Sequence, residues 1–385
     1  MRNSTRQLHQ KLLSVMSHEG RHPFLSLASV LYILSLFYGL ALKLRGFCYD
    51  RHIFSARRLP CNVISIGNIT AGGTGKTPMT IYVAELLKQL GYRVAIISRG
   101  YKGGSEKYTR IVSDGEKISM TPTMAGDESY MMASRLSDVP VIVGRNRFAA
   151  GCLAVDRFQP DVIVLDDAFQ HVKLQRDIDL VLVDRTQPFG NGHLFPRGLL
   201  REPVSSLKRC AACILTRTDA TRNEPRSGSY ERLKSILGDR PMYASFHVPY
   251  YYTVPAGNRV SQEMFSALQP LKNLEEMTTG KGFGFSGIAR NDDFRRTASS
   301  SGIDIKGFHE FPDHHPYTVG DLKAIYRAAR KAGADFIVTT EKDHVRIIHN
   351  DPLPFDLVVL GVRISFGKHS MDFLNFIKER LQAAA

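Results

Sequence analysis

Acidic residues are in short supply: 37 Asp and Glu face 51 Lys and Arg, leaving a formal net charge of +14 and a pI near 9.6. Such a surplus calls for an anionic partner, either nucleic acid or an anionic membrane surface. Cysteine is sparse as well. The five cysteines are scattered with no secretory signal ahead of them, which excludes a disulfide framework and implies a reducing cytoplasm. Cys210 and Cys213 form a C-x-x-C, but no second pair follows and they sit in the apolar run Cys210–Leu215, so they read as core thiols rather than a metal or redox pair. Internal repeats and low-complexity tracts are missing. What remains is an ordinary folded chain, long enough for two domains.

The first sixty residues carry nine of the basic residues against Glu19 and Asp50, so half of the net charge sits there. Within them, residues 24–42 contain no charge. As a helix this stretch would be about 28 Å long, close to the hydrocarbon thickness of a bilayer. It starts late and is followed by Lys43 and Arg45 instead of a cleavage site, so it is not a signal peptide. Three readings stay open: a helix lying in the membrane interface, a single span, and a buried core helix. The flanks show no interleaving of aromatic and basic residues, which favours a membrane over nucleic acid.

The rest of the chain is organised around Thr70-Ala71-Gly72-Gly73-Thr74-Gly75-Lys76-Thr77. It follows a β-prone run at Asn62–Ile66 and opens an amphipathic helix at Met79–Leu90. Strand, glycine-rich loop, Gly-Lys-Thr and helix form a phosphate-binding loop. Its backbone N–H groups and the helix N-terminus cradle a polyphosphate, Lys76 reaches the β- and γ-phosphates, and the Thr77 hydroxyl holds Mg²⁺. Thr70 stands where the first glycine of the motif is usual. Further on, the apolar strand Val162–Leu165 runs into Asp166-Asp167, the arrangement in which a carboxylate at a strand end holds Mg²⁺ beside that threonine. His171 reads either as a phosphate or carboxylate contact or as packing. Asp127, opening a predicted helix, fits an N-cap.

The expected organisation is an α/β P-loop NTPase-type lobe with a parallel sheet at 61–222, a connector at 223–255, and a smaller α/β lobe at 256–385 completing a cleft. The basic segment with its apolar membrane-associated helix precedes them at 1–60. In the second lobe, Asp313-His314-His315 lies in a loop, and an Asp that fixes an imidazole sets its tautomer and raises its basicity for proton transfer. Glu341-Lys342-Asp343 forms a polar cluster at a strand end with no readable role.

Together these pieces resemble the tetraacyldisaccharide 4'-kinase family, the lipid A 4'-kinases. The carriers are Gly67-Asn68, the loop from Thr70 through Pro78, Ser98-Arg99-Gly100-Tyr101, Gly126-Asp127-Glu128, Asp166-Asp167 with Phe169-Gln170-His171, Arg201-Glu202, Asp313-His314-His315 with Tyr317, and Thr340-Glu341-Lys342-Asp343. Ala168 stands where the family usually has glycine. The resemblance implies ATP- and Mg²⁺-dependent phosphorylation of the 4'-hydroxyl of an acylated glucosamine disaccharide 1-phosphate, giving lipid IVA. It implies work at the cytoplasmic face of the inner membrane, with no nucleic acid or protein partner. It assigns phosphates and metal to Lys76, Thr77, Asp166 and Asp167. Asp127 and His314 assist deprotonation of the sugar hydroxyl, with Asp313 tuning His314, and Arg147 and Arg201 contact phosphate. A membrane-docking regulatory P-loop ATPase is the competing class, but Ala71 occupies the place of its signature lysine.

Overall fold

The computed structural model describes residues 15–16, 26–106, 108–218, 228–259, 272–273, 280–347 and 352–384. Phe24, Leu25 and Asp219 lie outside them. In chain order the first elements are α1 (Leu27–Asp50), β1 (Asn62–Asn68), α2 (Lys76–Gln89), β2 (Val94–Ser98), β3 (Arg110–Ser113), α3 (Asp127–Arg135), β4 (Val141–Val143), α4 (Arg147–Phe158) and β5 (Val162–Leu165). There follow β6 (Ile178–Asp184), β7 (Ala212–Thr216), α5 (Ser229–Leu237), β8 (Met242–Ala244), β9 (Phe246–Val254), β10 (Lys272–Asn273), β11 (Gly280–Ser286), α6 (Asn291–Ser300) and β12 (Ile303–Glu310). The chain closes with α7 (Val319–Lys331), β13 (Phe336–Thr340), α8 (Glu341–His344), β14 (Asp356–Ser365) and α9 (Ser370–Ala384). Two compact units result: Met1–Lys76 with Val164–Phe246 and Phe366–Ala385, and Thr77–Ile163 with His247–Ser365.

In the first unit β1, β6, β7 and β8 lie side by side and parallel, with Ile66 opposite Leu180 and Leu182 opposite Ile214. Every residue of β6 and β7 is buried. That is why these strands read as continuous apolar runs rather than alternating ones. Val181, Val183, Cys213 and Leu215 pack with Phe169 and with Leu233 and Leu237 of α5. The expected connector at 223–255 therefore contains a helix from Ser229: Leu233 and Leu237 stand one turn apart and both bury in this core. Cys210 and Cys213 are buried and free, and burial pushes both thiols up, that of Cys210 to about 12. They are core residues.

The apolar N-terminal stretch is helix α1, running eight residues past its expected end at Leu42. Ala28, Leu31, Ser35 and Gly39 form its buried face. Tyr38 donates to the Arg201 carbonyl at 2.9 Å, and Arg45 pairs with buried Glu202 at 2.8 Å. A Cβ on Gly39 would lie 2.9 Å from Leu194 Cδ1, so the helix passes close to that leucine here. The other face is bare: Val30, Ile33, Phe37, Leu40, Leu44 and Phe47 are all at least half exposed and recur every three to four residues.

In the second unit β2 and β4 are parallel, and β3, absent from the sequence reading, pairs antiparallel with β4. A six-stranded sheet has the order β10-β9-β14-β13-β11-β12, in which β14, β13, β11 and β12 are parallel. Helix α7 begins with a reciprocal capping box between Thr318 and Asp321, and its buried Leu322, Ile325, Tyr326 and Ala329 repeat at helical spacing.

Candidate functional site

The phosphate loop occupies residues 69–75 of the first unit, between β1 and Lys76, the first residue of α2. Gly72 and Gly75 both have positive φ, 115° and 84°. Side chains of the same unit hold the loop from several directions. Asn68 Nδ2 donates to the Thr70 carbonyl at 2.7 Å and to Thr74 Oγ1 at 2.9 Å. Ala71 N–H bonds to the Leu199 carbonyl and Arg201 N–H to the Ile69 carbonyl, both at 2.7 Å. Arg217 donates to the Gly73 carbonyl at 3.0 Å while gripping Asp184 at 2.5 Å. Thr70, Thr74 and Thr77 are buried.

Asp166 and Asp167 follow β5. Asp166 is 2 % exposed. Asp167, at φ 48°, faces two cations: Arg201 Nη1 at 2.9 and 3.0 Å from its two oxygens, and Lys76 Nζ at 3.7 Å. The structure thus brings together four of the predicted groups, Lys76, Asp167, Arg201 and the loop itself. His171 sits in the turn that follows, its N–H bonded to the Ala168 carbonyl at 2.8 Å. Ile69, Thr70, Ala71 and Gly73 are all held through their backbones. In the second unit Arg147 is buried at the start of α4, its Nη1 donating to the Gly144 carbonyl at 2.9 Å. Among the described residues no group of three or more His, Cys, Asp or Glu converges to hold a metal ion.

A second constellation is built wholly within the second unit. Asp127 is the first residue of α3, but it is not the cap. That position belongs to Gly126, at φ 84°, with no side-chain cap bond. A Cβ on Gly126 would stand 2.7 Å from the Tyr101 carbonyl oxygen, so the tight entry into α3 admits only glycine. The Asp127 carboxylate turns instead to His314, whose Nδ1 lies 2.8 Å from Oδ2. A carboxylate only accepts, so the network assigns the proton to Nδ1 and leaves Nε2 as the basic nitrogen. Asp313, expected to tune His314, lies 3.8 Å from Nε2 and is 40 % exposed. The carboxylate in hydrogen-bond contact with the ring is Asp127, 187 positions away in sequence. His314 itself has φ 63°, in the left-handed region, and its N–H is anchored to the Gly287 carbonyl at 3.0 Å.

Arg346, which sequence reasoning did not single out, and Asp343, which it left without a role, complete this cluster. Arg346 Nε donates to Asp127 Oδ2 at 2.7 Å, and its Nη1 reaches the Gly287 carbonyl at 2.9 Å and Asp343 Oδ1 at 3.0 Å. Asp343 in turn accepts from Gly287 N–H, from the Tyr317 hydroxyl and, at 2.6 Å, from Thr340 Oγ1. The usable signal was the Asp343…Arg346 spacing of three on a helical turn. Burial alone would raise the Asp127 carboxyl, but the His314 hydrogen bond and the Arg346 guanidinium outweigh it and hold it below the usual carboxylate range. For Asp343 burial wins and its carboxyl is pushed up despite its bonds.

A phosphate loop on a parallel sheet, a lysine and an aspartate beside it, and a carboxylate–imidazole pair define a P-loop kinase. Comparison with known proteins narrows the class. The profile of the family described as tetraacyldisaccharide-1-P 4'-kinase matches residues 27–382, and the chain belongs to that family. It is 39 % identical over 355 residues to the tetraacyldisaccharide 4'-kinase of Desulfatibacillum aliphaticivorans, covering 92 % of this chain and 93 % of that one. It is 40 % identical to that of Syntrophus aciditrophicus over 354 residues, 90 % of each chain. Its structure is similar to a crystal structure described as the "apo" form of LpxK from Aquifex aeolicus in complex with ATP, with a TM-score of 0.70 and 29 % identity over 92 % of this chain and all of that one. The protein is a kinase that phosphorylates the lipid A precursor, a lipid disaccharide, at its 4' position.

Proposed function

We propose that the chain moves the γ-phosphoryl group of ATP to the 4'-hydroxyl with the Asp127–His314 pair as the base. The phosphate loop Thr70–Thr77, in the lobe at 61–222, holds the triphosphate, and Lys76 lies on its β- and γ-phosphates. His314, in the lobe at 256–385, takes the hydroxyl proton on Nε2. The sugar oxygen then forms its bond to the γ-phosphorus, the bond to the β–γ bridging oxygen breaks, and ADP leaves. Asp127 holds the imidazolium that forms, and Asp313 adds negative charge on the Nε2 side. Arg201, His171 and Arg147 serve the phosphates. The observation that supports this reading is the 2.8 Å contact between His314 Nδ1 and Asp127, because it orients Nε2 as proton acceptor.

Mg²⁺ suits this donor set. Thr77, Asp166 and Asp167 offer hard hydroxyl and carboxylate oxygens, and Mg²⁺ bound with a nucleotide takes few protein ligands beside phosphates and water. Bound there, the ion would neutralise charge developing on the phosphates.

We also propose that α1 lies in the cytoplasmic leaflet of the inner membrane as a monotopic helix. Its small-residue face is already occupied by its own protein, including a hydrogen bond at Tyr38 and an ion pair at Arg45. Its opposite face carries the apolar stripe.

The deciding assay uses radiolabelled ATP with the tetraacyl disaccharide 1-phosphate. Asp127→Ala and His314→Ala should each lower kcat by roughly 10²-fold or more, the scale of general acid–base catalysis, with ATP binding intact. Wild-type turnover in both variants would remove the base assignment.

A further inference from the structure

Arg346 belongs to no motif that led to the site, yet its side chain bonds to Asp127, to Gly287 and to Asp343. It is 5 % exposed. One edge of its guanidinium donates to the Asp127 oxygen that also faces His314, and the other is shared between the Gly287 carbonyl and Asp343. Gly287 is itself a junction: its carbonyl accepts from His314 N–H and Arg346, and its N–H donates to Asp343. The left-handed backbone at His314 and the carboxylate at Asp127 are thus referred to one planar, permanently charged group. Asp343, fully buried and bonded on both oxygens, keeps that group from rotating away.

We infer that Arg346, clamped by Asp343, is the positioning residue of the phosphoryl-transfer base: it fixes the Asp127 carboxylate against His314 Nδ1 and so keeps Nε2 available as the proton acceptor. The inference rests on the reading of Asp127 and His314 as the base. The chemistry is one of orientation and charge. Asp127 needs to be ionised to accept from Nδ1–H, and in a buried setting the His314 hydrogen bond and the Arg346 charge together keep it so. Arg346 Nη2 lies 3.5 Å from His314 Nδ1, and a guanidinium only donates, so that approach cannot supply the acceptor Nδ1–H needs. Asp127 is then the group that fixes the tautomer. A lysine could supply the charge but not the fork that reaches Asp127, Gly287 and Asp343 together.

Within this unit the other charged and titratable groups around the pair are Asp343 behind Arg346, Tyr317 on Asp343, Asp313 on the Nε2 side, Tyr101 edge-on to the ring, and the Glu128–Lys342 pair. Burial raises Tyr317, with Asp343 adding to the effect, so it stays neutral through the working range. The acid limb of kcat/KM should therefore follow the ionisation of the Asp127–His314 pair.

The test is the pH profile of the full-length kinase with ATP and the lipid acceptor. Arg346→Met should lower kcat roughly tenfold or more and move the acid limb upward by about one pH unit, because burial of Asp127 is then opposed by His314 alone. Arg346→Lys should restore the position of the limb but not the full kcat, since it returns the charge without the fork. Folding is checked by circular dichroism and by ATP-dependent thermal stabilisation. A loss of kcat in Arg346→Met with the limb unmoved makes Arg346 a strut and overturns the inference. If Arg346→Met does not fold, Arg346→Lys decides alone: wild-type kcat in it overturns the need for the fork. Unimpaired turnover in Asp127→Ala and His314→Ala, measured alongside, would instead sink the base assignment beneath it.

Discussion

Residues of the same type carry opposite duties in this chain, and burial sets which. His314 has a carboxylate at Nδ1 and, in the proposed reaction, the role of proton acceptor. His344, thirty positions on, is fully buried against Tyr252, whose hydroxyl is 2.8 Å from its Nδ1. Burial pushes His344 down to about 3 from an ordinary value of 6.5. A group depressed on folding contributes stability that is fully present above its unfolded value and is lost as pH falls towards the folded one. The affected window therefore runs from 6.5 down to about 3. Between pH 7 and 5 the protonation of His344 in the unfolded chain should cost about 2 kcal/mol of folding stability. His344→Asn, which keeps a polar amide within reach of the Tyr252 hydroxyl but does not titrate, should show a correspondingly flatter loss of stability in urea melts at the two pH values. Parallel losses in both proteins would show that the histidine is not buried neutral. The sequence does not separate the two histidines. Asp313 and His315 flank His314 and drew attention to it, whereas its hydrogen-bonded partner comes from a helix 187 residues earlier.

At the level of elements, legibility tracked how local the cause was. The phosphate loop was readable because strand, loop and helix are consecutive and Gly72 and Gly75 stand at positive φ. Helix α7 is of the same local kind, its cap and its apolar spacing lying within one window of sequence. Strand β3 was not readable: four residues, half of them partly exposed, acquire their form from pairing with β4. Read from the residues alone, Asp127 opening a helix looks like a cap; only the family resemblance paired it with His314, and the contact with Arg346 needed the fold. Helix α1 shows the mixed case. Its apolar character was plain, but the division into a docked face of small residues and a bare face of large ones depends on Leu194, Arg201 and Glu202. That division gives a prediction. Phe37 and Leu40 are 67 % and 63 % exposed, so Phe37→Asp with Leu40→Asp should leave the melting temperature unchanged. Each apolar side chain withdrawn from the interface forfeits on the order of 1 kcal/mol, so the pair should weaken partition onto lipid vesicles by roughly tenfold or more. Undiminished binding in a vesicle co-sedimentation assay would place the anchor elsewhere.

Charge is the property of the molecule as a whole that no single motif explains, and the proposed seating of α1 on a membrane would give it a use. The +14 excess is unevenly spread, half of it in the first sixty residues. Beyond the apolar stripe, Lys43, Arg51, Arg57 and Arg58 are exposed near the C-terminal end of α1. Arg51 lies over the Phe47 ring, 5.4 Å from its centroid, at the point where stripe and basic collar meet. Apolar insertion and electrostatic attraction should then act in series, and salt separates them. Near an anionic surface each basic side chain contributes about 1 kcal/mol, within a Debye length of about 8 Å at physiological ionic strength that shrinks to about 3 Å at 1 M. Binding of the full chain to vesicles containing anionic lipid should therefore fall by roughly tenfold or more between 0.1 and 1 M NaCl. It should level off at the value measured on zwitterionic vesicles, where the apolar stripe acts alone and salt has little effect. The two aspartates at 37 and 40 should lower that plateau, while Arg57→Glu with Arg58→Glu should lower only the salt-sensitive part. A plateau unmoved by the aspartates, or salt-independent binding to anionic vesicles, would mean that stripe and collar do not share one membrane surface.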